Sequence, residues 1–226
     1  MNSAIDRIER KLTNLERMTV VYITRRVLPT DWAVDIASLC LPMQIVQNWV
    51  FPESELISDS VNFGLSSAVD DPGSVFVLVI RSGHTLDCHG GFRGRGGLDM
   101  VNIMRKYPQI DILFPSEGEF HDHIVRKEAP AKLDYFMARV SAFKRMHRYA
   151  KKYTPEGSEI AIRRYITEAD FTGGMDFANL CQKAGVAWWQ HGGVRWAQLE
   201  GKHLVDGYEP EPIGTPSMMK FFARKG

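Results

Sequence analysis

The feature that most constrains the fold is an apolar run at residues 75–80, Val-Phe-Val-Leu-Val-Ile. Alternate residues of a strand point to opposite faces of a sheet, so a strand that is apolar at every position must be covered on both faces. A turn signal, Asp-Asp-Pro-Gly at 70–73, comes directly before the run. We therefore predict a central strand at 75–80, within a sheet flanked by helices.

Hydrophobic spacing predicts the elements around this strand. Further strands are predicted at 19–24, 61–69, 85–89, 110–114 and 160–166, and a closing hairpin at 186–189 and 194–199. Helices are predicted at 3–18, 30–39, 98–106, 133–153 and 175–184, with a short one ending near Trp49. The strands at 61–69, 75–80 and 85–89 would form a meander. The pattern indicates an α/β (α+β) fold with a central mixed, mostly antiparallel sheet.

The length of 226 residues fits a single domain over 1–226 with an N-terminal helix at 1–18 and an extended C-terminal arm at 209–226. The 28 basic and 27 acidic residues nearly balance, so no global field attracts nucleic acid or membranes. No apolar run is long enough to span a bilayer. Three widely spaced cysteines do not form a disulfide framework. We therefore expect a cytoplasmic protein with no membrane partner.

The loop between the strand at 85–89 and the helix at 98–106 is rich in glycine and arginine. We call it the Gly-Arg turn, residues 90–97, with the sequence Gly-Gly-Phe-Arg-Gly-Arg-Gly-Gly. Glycines let backbone amides approach an anion, and the start of the following helix adds positive potential. Arg93 and Arg95 supply charge-assisted donors suited to phosphate. We predict a phosphate-binding turn, the alternative being a glycine-rich surface turn.

The order of elements around the Gly-Arg turn resembles the GNAT superfamily of acyl-CoA-dependent N-acyltransferases. In that family a strand runs into an arginine- and glycine-rich loop that holds the pyrophosphate of acetyl-CoA. The stretch at 178–186 is similar to the family's late helix and following strand. The resemblance implies a GNAT-like fold with a helical insertion at 108–157, and a splayed pair of parallel strands beside the turn. It assigns pyrophosphate binding to Phe92, Arg93, Gly94, Arg95, Gly96 and Gly97.

The resemblance also implies a reaction, the transfer of an acyl group from acetyl-CoA or a related thioester to an amine. The amine must lose a proton, and either Asp87 or His89, which share a strand face before the turn, could accept it. Cys181 stands where the family often has a tyrosine that protonates the leaving thiolate. The alternative interpretation of Cys181 is a buried small residue.

A metal-dependent enzyme is an alternative function. His121 and His123 alternate, so a strand would place both imidazoles on one face as ligands for zinc or iron. Glu117 and Glu119 lie nearby in the sequence. The competing interpretation is a solvated acidic loop.

The predicted helix at 139–152 is strongly basic and carries no acid. Its cations could bind the phosphates of DNA or RNA or the 3′-phosphate of coenzyme A, although an amphipathic helix also needs a solvated polar face. The acyl acceptor would then be a nucleobase or tRNA amine, a small molecule or a protein amine. A non-enzymatic nucleic-acid-binding or partner-inhibiting module is the alternative. The residues concerned are Arg139, Lys144, Arg145, Arg148, Lys151 and Lys152.

Overall fold

The computed structural model describes residues 16–23, 44–50, 57–81, 84–88, 95–116, 123–126, 132–154 and 163–198. The strands are β1 (Arg17–Ile23), β2 (Gln44–Val50), β3 (Ser74–Arg81), β4 (His84–Cys88), β5 (Ile112–Ser116), β6 (Ile124–Arg126), β7 (Phe136–Arg139) and β8 (Trp188–Gln198). The helices are α1 (Ile57–Asp70), α2 (Gly96–Lys106), α3 (Val140–Tyr153) and α4 (Asp176–Lys183), with a 3-10 turn at Glu168–Thr172.

The strands form one mixed sheet in the order β2-β1-β3-β7-β5-β8-β4, with β6 paired to β8. The pairs β1–β2, β1–β3 and β5–β8 are parallel. The pairs β3–β7, β5–β7, β4–β8 and β6–β8 are antiparallel. This arrangement confirms the predicted α+β class with a central mixed sheet.

Five of these strands end at the same edge of the sheet. Strand β7 is antiparallel to both β3 and β5, so β3 and β5 run in the same direction, as do their parallel partners β1, β2 and β8. We call this the carboxyl edge. Strand β4 runs the opposite way, from His84 opposite Gln198 to Cys88 opposite Val194. The end of β4 therefore lies beside the middle of β8.

Helices cover both faces of the sheet, as the apolar strand at 75–80 predicted. In β3, Val77 and Val79 pack into a core cluster with residues of α1, α3 and α4. Phe76, Leu78 and Ile80 pack into a second cluster with residues of α2 on the other face. Burial on both sides explains why this strand could be located from sequence alone.

Two residues of α1 hold it in place. A Cβ atom on Gly64 would lie 2.7 Å from a methyl carbon of Val21, so glycine lets the helix approach β1 closely. The side chain of Asn62 accepts hydrogen bonds from the backbone N–H groups of Tyr165 and Ile166 and donates to the Ile166 carbonyl. These bonds join α1 to the segment that leads to the 3-10 turn.

Several elements differ from the sequence-based prediction. The predicted strand at 61–69 lies within α1, where Val61, Leu65 and Ala68 are buried at helical spacing. The chain near Trp49 forms β2 rather than a short helix. The predicted helix at 133–153 begins at Val140, because residues 136–139 pair with β3 and β5 as β7.

The predictions of a closing hairpin and of a three-stranded meander were also wrong. Residues 188–198 form the single strand β8, which passes through Gly192 and Gly193 without a turn. Strand β4 pairs with β8 and not with β3. Strands β5 and β7, expected within an insertion at 108–157, lie in the middle of the sheet order.

Other predictions are only partly tested. Residues 17 and 18 belong to β1 rather than to the helix at 3–18, and residues 163–166 form no strand. The rest of the helix at 3–18, the helix at 30–39 and the arm at 209–226 lie outside the described residues. In the described part of the chain the longest helices, α1 and α3, have 14 residues each and none could cross a membrane.

Candidate ligand site at the carboxyl edge

The Gly-Arg turn leads into the first turn of α2, whose position depends on Gly96. A Cβ atom on Gly96 would lie 2.6 Å from the carbonyl oxygen of Leu86, so the helix can begin against β4 only with glycine there. The N-cap residue, Arg95, makes no side-chain cap hydrogen bond. The side chain of Arg95 therefore does not cap the first amides of α2, and amides at the start of a helix together with the helix dipole favour an anion.

An acid in this first turn, Asp99, is held by a buried histidine. The Nε2 atom of His191 lies 2.7 Å from Oδ2 of Asp99. The Nδ1 atom of His191 accepts a hydrogen bond of 3.1 Å from the backbone N–H of Gly193. Both ring nitrogens are engaged, and the tautomer that satisfies both bonds carries its proton on Nε2. His191 therefore orients the carboxylate and has no free nitrogen to act as a base.

Exposure distinguishes the two partners. The side chain of His191 is 10% exposed, whereas that of Asp99 is 43% exposed. An ionisable group that reaches solvent while a buried partner fixes its orientation is suited to accept a proton from a ligand. Sequence reasoning missed Asp99. An acid in the first turn of a helix is common, and nothing local connects it with a histidine in β8.

The pKa of the Cys88 thiol, at the end of β4, is affected by several charged groups near the start of α2. Its pKa is raised to about 11, mainly by burial and also by Asp99 and Asp87, while Arg95 acts in the opposite direction and lowers it. These electrostatic effects place Cys88 close to both acids and to Arg95, since such interactions weaken with distance. The thiol is protonated near neutral pH, which argues against Cys88 as a nucleophile.

Of the two predicted bases, only Asp87 is among the described residues, next to Cys88 on β4. It is half-buried on β4 and stands opposite Arg195 of β8 in the antiparallel register. His89 lies outside the described residues, as do Phe92, Arg93 and Gly94 of the Gly-Arg turn. The structure thus brings together Arg95, Asp99 and the start of α2. Asp87 points to the opposite face of β4 from Leu86 and Cys88, which pack on the α2 side of the sheet.

Cys181 lies elsewhere. It is fully buried in the core cluster formed with α1 and α3, whereas Cys88 packs against the cluster on the other face of the sheet. Burial raises the pKa of the Cys181 thiol far above its ordinary value, and Asp111 adds to this effect. The structure does not bring Cys181 together with Asp87, and its surroundings match the alternative interpretation, a buried small residue.

The strand arrangement next to β4 differs from the one that the resemblance implied. Strand β4 is paired along all five residues with β8, and this pairing is antiparallel. The next strand along the chain, β5, pairs with β7 and β8 and not with β4. Within the described ranges, no splayed pair of parallel strands adjoins β4.

The predicted metal ligands are not assembled in the described part of the chain. His121 lies outside it, and the carbonyl of His123 accepts a hydrogen bond of 3.0 Å from the N–H of Gly192. Among the described residues, no group of three or more His, Cys, Asp or Glu side chains could hold a metal ion.

The basic residues of the helix at 139–152 divide into two sets. Arg139 donates to the carbonyls of Met104 and Ile110, and Arg145 forms a salt bridge of 2.6 Å with Asp111. Burial lowers the pKa of Arg139 from its ordinary value. These two arginines stabilise the fold. The set on the outer part of α3 is Lys144, Arg148, Lys151 and Lys152, together with the ring pair Tyr149–Tyr153, whose centroids are 4.6 Å apart.

Comparison with known proteins adds little. No protein family and no curated protein matches this chain. Among solved structures, it is similar to the protein titled "Crystal Structure of A197 from STIV", with 6% sequence identity and a TM-score of 0.44. The match covers 82% of this chain and 86% of that one. At this level of similarity no functional inference is possible, so function must be argued from the site itself.

Proposed function

We propose that this protein is a transferase that binds a phosphate-bearing donor at the Gly-Arg turn and the start of α2. The observation that carries the proposal is the pair formed by Asp99 and His191. This pair holds a half-exposed carboxylate within the first turn of a helix whose N-cap residue, Arg95, makes no side-chain cap hydrogen bond. Transfer of a group from a phosphate-bearing donor to an acceptor that must lose a proton requires at least a site for the phosphate and a base close to it. Here both would lie within one helical turn.

The phosphate groups would be bound by Arg95 and the amides of Gly96 and Gly97, with Arg93 as a further donor from the same turn. Asp99 would accept the proton of the acceptor, a role that the sequence suggested for Asp87 or His89. The negative charge of the Asp99 carboxylate would repel a nearby phosphate. The hydrogen bond from His191 disperses part of the carboxylate's charge and so weakens this repulsion.

The donor proposed first is acetyl-CoA or a related acyl-CoA, with an amine as the acceptor. Nucleotides are the competing phosphate-bearing donors, because β4 lacks the parallel neighbour that the resemblance to acyltransferases implied. The cytoplasm is the proposed location, in keeping with the free thiols of Cys88 and Cys181.

Calorimetric titration with acetyl-CoA, ADP and pyrophosphate tests the donor. Arg95→Ala should weaken binding of the true donor by about tenfold, because a charge-assisted donor is lost. Arg105→Ala is the matched control, since Arg105 lies at the other end of α2 in an exposed pair with Glu16. Binding of ADP and pyrophosphate without acetyl-CoA would exclude the acyl donor. Equal binding by wild type and Arg95→Ala would contradict the phosphate site.

The base is tested separately by Asp99→Asn. This variant keeps the oxygen that faces His191 and should bind donor normally while losing turnover with an amine acceptor. Asp59→Asn is the control, because Asp59 is the acid in the first turn of α1. Full turnover by Asp99→Asn would show that another group is the base.

The second candidate function is nucleic-acid binding by α3. The observation that favours it is that Lys144, Arg148, Lys151 and Lys152 form no salt bridge with a carboxylate of the described residues, and α3 itself has no acid. Binding of single-stranded RNA or DNA should weaken steeply with salt and be lost in Lys151→Ala/Lys152→Ala. Affinity that is indifferent to salt would contradict it.

A further inference from the structure

A cavity lies between α4 and the start of β8. Its volume is about 740 Å³, which is within the range of small-molecule sites in proteins. It is lined by one face of α4, by the segment at 185–188 that follows this helix, and by Arg126, the last residue of β6. The cavity is therefore large enough to bury most of a small organic ligand.

Hydrogen bonds fix the segment at 185–188, which forms one wall. Gly185 has a φ of 65°, a left-handed conformation that glycine adopts readily and that turns the chain back after α4. The N–H of Val186 donates to the carbonyl of Cys181 at 2.8 Å, and the N–H of Ala187 donates to Oδ2 of Asp111 at 2.9 Å. The wall is held both by α4 and by the residue before β5, so the cavity is preformed.

The α4 side of the cavity carries two amide side chains that a ligand can use. Met175, Ala178, Asn179 and Gln182 recur at intervals of three and four, so they share one face of the helix. Asn179 and Gln182 are exposed, and their side chains form no hydrogen bond with another described residue. Each amide can donate and accept, so both can bond to a polar group of a ligand.

Arg126 supplies the charge of the site. Among the described residues that line the cavity it is the one with a charged side chain, and it forms no ion pair with a carboxylate of the described ranges. One cation without an acid in the lining favours a ligand with a single negative charge, which a carboxylate has, over a phosphate monoester, which carries nearly two.

The remaining lining suits the apolar part of such a ligand. Met175 is 49% exposed, and Trp188 is half-buried at the start of β8. A thioether and an indole ring offer polarizable apolar surface to a ligand. We propose that this cavity binds a small carboxylic acid with an apolar body, and that Arg126 pairs with its carboxylate.

This site is separate from the Gly-Arg turn. Helix α4 packs into the core cluster that it shares with α1 and α3, whereas α2 packs into the cluster on the other face of the sheet. None of the described residues that line the cavity belongs to α2. The proposal therefore does not rest on the phosphate site, and either of the two can fail alone.

Calorimetric titration with benzoate, octanoate and naphthalene-2-carboxylate, each beside its neutral carboxamide, tests the charge of the ligand. At least one carboxylate should bind about tenfold more tightly than its carboxamide, because the neutral compound loses the charge-assisted bond to Arg126. Arg126→Gln should remove this difference. Arg164→Gln is the matched control and should keep it, since Arg164 is exposed and does not line the cavity. No binding by any carboxylate at millimolar concentration, or equal binding of the carboxamides, would overturn the proposal.

NMR locates the ligand without any variant, in case Arg126→Gln does not fold. In 15N-labelled protein titrated with the carboxylate that binds, the side-chain amide signals of Asn179 and Gln182 should shift in a saturable manner. The signals of Asn102, at an exposed position of α2, should not move. Binding detected by calorimetry with Asn179 and Gln182 unchanged would place the carboxylate elsewhere and overturn the proposal.

Discussion

The Nε2 atom of His191 lies 2.7 Å from Oδ2 of Asp99 and so joins the middle of β8 to the first turn of α2. The two residues are 92 positions apart in the sequence. The bond fixes the start of α2 relative to the strand that runs beside both β4 and β5. It is the interaction on which the geometry of the candidate site most depends.

His191→Ala should destabilise the protein more than Asp99→Ala does. Loss of the imidazole leaves the buried N–H of Gly193 without its acceptor, at a cost of about 1–3 kcal/mol, whereas Asp99 is partly solvated and its loss costs about 1 kcal/mol or less. Urea denaturation of the two variants and of an Asp59→Ala control measures these costs. Equal destabilisation by both substitutions would contradict the description of His191 as the anchor of this pair.

Gly96→Ala should lower the free energy of unfolding by about 1–3 kcal/mol, because the added methyl group would meet the carbonyl oxygen of Leu86 at 2.6 Å. The control is Asn102→Ala, an exposed position of the same helix, which should be nearly neutral. Thermal denaturation compares them. A Gly96→Ala protein as stable as wild type would mean that α2 does not begin against β4.

Cys88 should react slowly with iodoacetamide at pH 7, and the rate should rise with pH up to about 11, since the thiolate is the reactive species. Asp99→Asn removes a negative charge that raises this pKa, so it should speed alkylation near neutral pH. Mass spectrometry of the peptide containing Cys88 follows the reaction. Slower alkylation in Asp99→Asn would place the carboxylate away from the thiol.

Alkaline solution should destabilise the fold through Cys181. The buried thiol stays protonated, while in the unfolded chain it ionises around its ordinary pKa of 9.0. Because the pKa is raised in the folded state, the stabilising contribution is complete below pH 9 and declines as the pH rises above 9. Cys181→Ala should flatten this decline in urea denaturation measured between pH 8 and pH 10. An unchanged slope would mean that Cys181 is ionised or solvated in the folded protein.

The elements that sequence predicted correctly are those whose burial leaves a local pattern. Strand β3 is apolar at consecutive positions because both of its faces are covered, and α2 follows a glycine-rich turn and ends before Pro108. The fold class followed from such segments. Helical spacing in α1 was mistaken for strand alternation, because Val61, Phe63 and Leu65 alternate over a short window and only the buried Ala68 breaks the period of two.

The errors concern features that depend on distant partners. Gly192 and Gly193 suggested a turn, yet the Gly192 N–H is bonded to the carbonyl of His123 and that of Gly193 to His191, so β8 continues through them. Strand β7 owes its existence to pairing with β3 and β5 rather than to its own four residues. For the same reason no local pattern could connect Asp99 with His191.

The central claim is that the start of α2 binds phosphate, and the amide signals of Gly96 and Gly97 test it most directly. In 15N-labelled protein titrated with pyrophosphate, these two signals should shift in a saturable manner and should not do so in Arg95→Ala. Shifts confined to Lys151 and Lys152 of α3, with Gly96 and Gly97 unchanged, would contradict the account.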